Sequence, residues 1–261
     1  MILNHIQFRS HVLGYQQKII VMLPQGIDGL ILPGKLKSLT LLHGLSDDET
    51  AWMRWSNIEK YAEKYGIAIV MPSVEKSFYT NMKHGDRFAD YISQEVPNFL
   101  RGFMPLSSNR EDNYIAGLSM GGYGALKIAL SNPTSYCATA SLSGVVDIAD
   151  FLVQPEIRDN KEFFHDISLV FGDITKVKGT KNDVVQLILD GIKNGNLPRI
   201  YQCCGTEDFL YQNNLIFRDK VSKLGIDHYY EEGPGDHVWS YWDTMIQKVL
   251  PWFGLKEQEP V

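Results

Sequence analysis

The chain has 261 residues, a length that fits one large α/β domain or a domain with an insertion. Its formal net charge is -6, from 25 basic and 31 acidic residues. This argues against a nucleic-acid partner, because phosphate binding needs a concentrated basic surface. No apolar run reaches the length of a membrane span, and the first residues lack the pattern of a signal peptide.

The chain has 3 cysteines, and they form neither a disulfide framework nor a zinc pattern with Cys-x-x-Cys spacing. They are Cys137 and the adjacent pair Cys203 and Cys204. We therefore expect a protein of the reducing cytoplasm without a structural metal.

The apolar pattern predicts strands that alternate with helices along most of the chain. The predicted strands are an edge strand with Ile2, Ile6 and Phe8, followed by 18–23, 38–42, 67–71, 114–118, 136–142, 199–203 and 228–231. The predicted helices are 57–65, 86–103 with a break at Pro97, 121–130, 183–192, 213–224 and a last helix that begins near Val238. The stretch 25–37 is predicted to be a loop.

This alternation is typical of a mostly parallel sheet with helices on both faces. About eight strands fit the chain, and the first of them are expected to be antiparallel. The region 147–197 breaks the rhythm and is predicted to be an insertion over the active edge of the sheet. With roughly 50 residues it is too short for an independent core, so a single domain is expected.

The sequence Gly-Leu-Ser-Met-Gly-Gly at 117–122 is the strongest functional signal. It follows an apolar strand and precedes a helix rich in Ala, Leu and Ile, which is the setting of a nucleophile elbow. Such a turn holds Ser119 in a strained conformation, and small residues on either side allow neighbouring chains to approach. A glycine-rich turn before an ordinary helix is the alternative, which this context disfavours.

A serine nucleophile needs a base and an acid, and in folds with this elbow they follow in the order acid, then histidine. His237 follows a loop after the last predicted strand and is the candidate base. Asp208 follows strand 199–203 and is the candidate acid, with Glu207 and Asp147 as alternatives. Asp236 is interpreted as a loop residue.

The oxyanion that forms during ester hydrolysis needs two preorganised N–H donors. One donor is predicted to be the N–H of Met120, directly after the nucleophile. The other is expected from the His-Gly-Leu loop at 43–45, with Leu45 as the candidate and Gly44 second.

These motifs resemble those of the Putative esterase (esterase D-like) family of α/β-hydrolases. The resemblance rests on Leu-Leu-His-Gly-Leu at 41–45 with Trp52 downstream, and on three further stretches at 116–122, 204–210 and 236–242. The likeness is strongest to the bacterial tributyrin esterases. It implies an α/β-hydrolase fold, hydrolysis of short-chain acyl esters, and the roles of Ser119 as nucleophile, Asp208 as acid and His237 as base.

The expected function is therefore that of a serine carboxylesterase that acts on a small-molecule ester and uses no cofactor or metal. An acetyl or feruloyl esterase for carbohydrate esters and a thioesterase similar to S-formylglutathione hydrolase are the alternatives. The latter usually carries a Cys beside the oxyanion loop, where this chain has Ser-Asp-Asp at 46–48. A homo-oligomer is compatible with the sequence. Aromatic and polar residues in loops after strands are candidates for a substrate pocket: Trp52, Trp55, Phe78, Tyr79 and His84.

Overall fold

The computed structural model describes residues 1–26 and 29–258. Their strands form one 8-stranded sheet with the order β1-β2-β4-β3-β5-β6-β7-β8. The strands are β1 Ile2–Arg9, β2 Gln16–Leu23, β3 Ser38–Leu42, β4 Ala68–Pro72, β5 Asn113–Leu118, β6 Ala138–Leu142, β7 Arg199–Gly205 and β8 His228–Gly233. β2 is antiparallel to both β1 and β4, and all other pairs are parallel. The predicted mostly parallel eight-stranded sheet is confirmed.

The helices pack on the two faces of this sheet and complete two hydrophobic cores. They are α1 Ala51–Trp55, α2 Ile58–Tyr65, α3 Phe88–Asp90, α4 Val96–Arg101, α5 Met120–Ser131, α6 Ile148–Leu152, α7 Pro155–Asp159, α8 Lys161–Phe171, α9 Val184–Asn194, α10 Tyr211–Val221 and α11 Trp239–Trp252. Successive side chains of a strand point to opposite faces. Ile19 and Val21 of β2 accordingly belong to the first core, and Ile20 and Met22 belong to the second core.

The predicted helix 86–103 is one helical stretch with a change of pitch. A π-helical turn at Tyr91–Glu95 joins α3 to α4, and Pro97 lies in the first turn of α4. Proline has no N–H to donate to the carbonyl four residues earlier, and π turns are one way in which a helix absorbs such a defect. The break that the sequence predicts at Pro97 thus lies just before it.

The region 147–197 contains more helix than the sequence predicts. Besides α9, which corresponds to the predicted helix 183–192, it holds the short helices α6, α7 and α8. The side chain of Asn160 caps α8 by accepting the Phe163 N–H at 3.1 Å. Ile167, Val170 and Phe171 of α8 are buried in the first core, so this segment packs onto the sheet layer.

The carboxyl ends of the parallel strands lie at one edge of the sheet, and β5, β7 and β8 each continue there into a loop that carries a candidate catalytic residue. Within the described part of the chain, no helix is both long enough and apolar enough to cross a membrane.

Candidate active site

Ser119 lies at the tip of a sharp turn between β5 and α5. Its backbone has φ 53° and ψ -119°, a region that non-glycine residues rarely adopt and that costs about 1–3 kcal/mol. The glycines beside it permit close packing. A Cβ atom on Gly121 would lie 2.5 Å from the Leu42 carbonyl oxygen, and one on Gly117 would lie 2.3 Å from the Gly121 carbonyl oxygen. The turn therefore holds the Ser119 side chain at the start of α5.

His237 lies between Ser119 and Asp208 and is within hydrogen-bonding distance of both. Its Nε2 is 3.0 Å from Ser119 Oγ, and its Nδ1 is 2.9 Å from Asp208 Oδ2 and 3.0 Å from Oδ1. The side chain of Asp208 is fully buried, and its Oδ1 also accepts the Leu210 N–H at 2.8 Å. A carboxylate in this position orients the imidazole and stabilises its protonated form.

The alternative acids occupy other positions. Glu207 is exposed, and its carboxylate accepts the Gly235 N–H and the Thr206 hydroxyl. These hydrogen bonds lower the pKa of Glu207, the Gly235 N–H having the larger effect. Asp147 is buried and paired with Lys220 at 2.6 Å. Asp236 accepts the His237 N–H and is exposed, as expected for a loop residue.

The loop after β3 lies against the nucleophile. A Cβ atom on Gly44 would be 3.7 Å from Ser119 Cβ, so only a short gap separates loop and elbow. His43 Nε2 accepts the Val74 N–H at 3.1 Å, which leaves the Nδ1 proton to be donated to the Gly44 carbonyl oxygen at 2.8 Å. Burial lowers the pKa of His43, which favours this neutral form.

The hydrogen bond from His43 also orients the following N–H group. In a trans peptide the carbonyl and the N–H point in opposite directions, so the Gly44 carbonyl that faces the His43 ring turns the Leu45 N–H the other way. Met120 is the first residue of α5, where an N–H has no partner within the helix. Among the described residues, neither of these two N–H groups donates to a protein acceptor.

Two aromatic side chains that the sequence analysis did not select pack on His237. The ring centroid of Phe209 is 4.5 Å from that of His237, and Trp242 meets the imidazole edge-on at 4.9 Å. Phe209 is 71% exposed although it is apolar. Its sequence signals are its place directly after Asp208 and its position within the stretch 204–210. Glu207, the alternative acid, has a different contact: its carboxylate accepts the Gly235 N–H and so ties the β7 loop to the loop that carries His237.

The structure places the five predicted pocket residues in different surroundings. Trp52, Phe78 and Tyr79 are at most 3% exposed and belong to the hydrophobic cores, so they present no surface to a substrate. Their apolar rings are stabilised by burial, and Trp52 donates its indole N–H to the Leu42 carbonyl oxygen at 3.0 Å. Trp55 and His84 are exposed, and the structure shows no contact of either with the triad residues.

The cysteines are poorly suited to act as nucleophiles. All three are buried and free, and burial raises the pKa of the Cys203 and Cys204 thiols, which disfavours the reactive thiolate. Residues 1–26 and 29–258 contain no group of three or more His, Cys, Asp or Glu side chains that could hold a metal ion.

Comparison with known proteins identifies related chains over nearly the whole length. A family model described as "Putative esterase" matches residues 10–253. An acetyl esterase from Caldicellulosiruptor saccharolyticus is 30% identical over 260 residues, which cover 97% of this chain and 98% of that relative.

Two solved structures from Staphylococcus aureus are also similar. One is the fluorophosphonate-binding serine hydrolase FphF, with a TM-score of 0.86, and the other is the S-formylglutathione hydrolase FrmB, with a TM-score of 0.83. Each is 36% identical, and each alignment covers 97% of this chain and 98% of the other. Together with the sheet order, these similarities confirm the predicted α/β-hydrolase fold.

Proposed function

The chain belongs to the Putative esterase family and is a carboxylic ester hydrolase, and we propose that it hydrolyses short-chain acyl esters through Ser119, His237 and Asp208. The observation that carries this proposal is the continuous hydrogen-bonded row from Ser119 Oγ through the imidazole to the buried Asp208 carboxylate. A serine hydroxyl is a weak nucleophile at neutral pH, and such a row supplies the base that activates it.

In the proposed acylation step, Ser119 Oγ attacks the ester carbonyl carbon while His237 Nε2 takes the hydroxyl proton. Asp208 holds the proton on Nδ1 and stabilises the imidazolium. The negative charge on the carbonyl oxygen is met by the N–H groups of Met120 and Leu45, each of which typically contributes about 3–4 kcal/mol. The tetrahedral intermediate then collapses, and His237 donates its proton to the leaving alcohol.

Deacylation repeats these steps with water in the place of the alcohol. His237 takes a proton from water, the resulting hydroxide attacks the acyl-enzyme carbonyl, and the same N–H groups hold the second oxyanion. The bond between the acyl carbon and Ser119 Oγ then breaks, and His237 returns its proton to Oγ. The carboxylic acid is released.

The substrate class is proposed to be esters with short acyl chains. The relative at 30% identity is described as an acetyl esterase, and the sequence motifs resemble those of tributyrin esterases. We expect kcat/KM on p-nitrophenyl esters to be highest between two and six acyl carbons and to fall for twelve carbons. A higher kcat/KM for the twelve-carbon ester would contradict this substrate class.

Thioester hydrolysis is the second candidate, and the similarity to the S-formylglutathione hydrolase favours it. Against it, Ser46 and its two acidic neighbours stand where the resemblance leads us to expect a Cys beside the oxyanion loop. A panel with S-formylglutathione, p-nitrophenyl acetate, an acetylated xylo-oligosaccharide and methyl ferulate separates these functions. We expect the simple acetyl ester to be hydrolysed with the highest kcat/KM, and a clear preference for S-formylglutathione would overturn that assignment.

A further inference from the structure

Tyr79 is fully buried and contacts both the 43–45 loop and α5, the two segments that carry the proposed oxyanion donors. Its hydroxyl donates a hydrogen bond to the His43 carbonyl oxygen at 2.9 Å, directly before the peptide that supplies the Leu45 N–H. Its ring lies against Gly124 of α5, where a Cβ atom would come within 2.2 Å of Tyr79 Cδ2. Since α5 also carries the Met120 N–H, one side chain contacts both of the segments that carry the proposed donors.

The backbone around Tyr79 is strained and held in place. Phe78 and Tyr79 have φ values of 49° and 53°, the left-handed region that bulky residues rarely adopt. Lys127 donates to the Tyr79 carbonyl oxygen at 3.1 Å, and the Ser77 hydroxyl accepts the Tyr79 N–H at 3.2 Å. Strain of this kind persists only where the surrounding structure enforces it, and it occurs often at functional sites.

The hydroxyl of Tyr79 keeps its proton and so remains a hydrogen-bond donor. Burial raises its pKa well above the ordinary tyrosine value, so the proton stays on the oxygen near neutral pH. The Tyr79 hydroxyl thereby fixes the carbonyl of His43. The His43 ring fixes the next carbonyl, that of Gly44, through its Nδ1.

We propose that Tyr79 is a positioning residue that orients the His43–Leu45 loop, so that the Leu45 N–H is aimed at the oxyanion. This inference rests on the proposed function, because it assigns Tyr79 a part in the same hydrolysis. Catalysis by an oxyanion hole depends on donors that are preorganised before the charge develops. Without the Tyr79 hydrogen bond the loop gains freedom to rotate, and the donor binds the transition state less well than before.

The test is Tyr79→Phe, which removes only the hydroxyl. Tyr123→Phe is the matched control, because Tyr123 is also a fully buried tyrosine and donates to a backbone carbonyl, that of Asn182, at 2.8 Å. We expect Tyr79→Phe to lower kcat on p-nitrophenyl acetate about tenfold with KM changed less than about twofold, a smaller loss than the 10²- to 10³-fold typical of deleting a donor. Tyr123→Phe is expected to keep the wild-type kcat.

A second readout uses a trifluoromethyl ketone, whose tetrahedral adduct with Ser119 places an oxyanion between the same donors. Its inhibition constant is expected to rise about tenfold in Tyr79→Phe and to stay unchanged in Tyr123→Phe. Equal kcat and equal inhibition constants in wild type and Tyr79→Phe would overturn the inference, as would equal losses in both variants. Failure of the proposed function is a separate result, namely a wild-type protein without esterase activity or a Ser119→Ala variant that keeps it.

Discussion

The candidate nucleophile and base follow from chemistry and chain order, whereas the carboxylate that contacts the base does not. Ser119 is predicted by a turn between an apolar strand and a helix, and His237 by its place after the last strand. The sequence leaves Asp208 and Glu207 as neighbours in one loop, and only the structure shows that Asp208 faces His237 while Glu207 binds Gly235. A difference of one residue in a loop depends on backbone turns that the residue types do not specify.

This arrangement predicts different effects for the two neighbouring carboxylates. Asp208→Asn is expected to lower kcat/KM on p-nitrophenyl acetate by about 10³- to 10⁴-fold, because the amide cannot hold the imidazole in the required tautomer. Glu207→Gln keeps an oxygen that can accept the Gly235 N–H and is expected to lower it less than about threefold. The assignment of the acid would have to move to Glu207 if the two effects were reversed.

At the scale of elements, the strands are predictable within two residues at each end, while the short helices are not. A strand buried on both faces is a continuous apolar run, which makes β3, β4 and β5 conspicuous in the sequence. The helices α6 and α7 have 5 residues each, and such short segments give little periodicity. Their position depends on packing against the first core, a long-range contact that local patterns do not record.

A half-buried histidine in the edge strand β8 predicts that the stability of the folded protein depends on pH. His228, at the start of β8, has its Nε2 2.9 Å from Gln202 Oε1 of β7, and burial lowers its pKa to about 4. The unfolded chain therefore binds a proton at this histidine from about pH 6.5 downward, before the folded state does. His43, whose pKa is also lowered by burial, acts in the same direction.

Stability is therefore expected to be lost as the pH falls from about 6.5 to about 4. His228 alone is expected to lower the free energy of unfolding by about 1–2 kcal/mol between pH 7.5 and pH 5. His228→Gln should reduce the measured loss by that amount in urea unfolding at the two pH values, with His5→Gln, at an exposed position, as the control. An identical pH dependence in wild type and His228→Gln would contradict this account of the β7–β8 contact.

At the scale of the whole molecule, the sheet brings together residues that lie far apart in the chain. Ser119 and His237 are separated by 118 positions, and the parallel order of β5, β6, β7 and β8 places their loops at one edge. This convergence is predictable, because carboxyl ends of parallel strands share an edge. The burial of Tyr79 is not, because its place depends on how the loop after β4 folds over Gly124 of α5.

The central claim is that Ser119 is the nucleophile of an esterase, and Ser119→Ala tests it most directly. The measurement is hydrolysis of p-nitrophenyl acetate by wild type and variant, alongside labelling with a fluorophosphonate probe and a circular dichroism spectrum to verify folding. We predict a folded variant that has lost at least about 10³-fold in kcat and is no longer labelled. A folded Ser119→Ala protein with wild-type kcat would contradict the account.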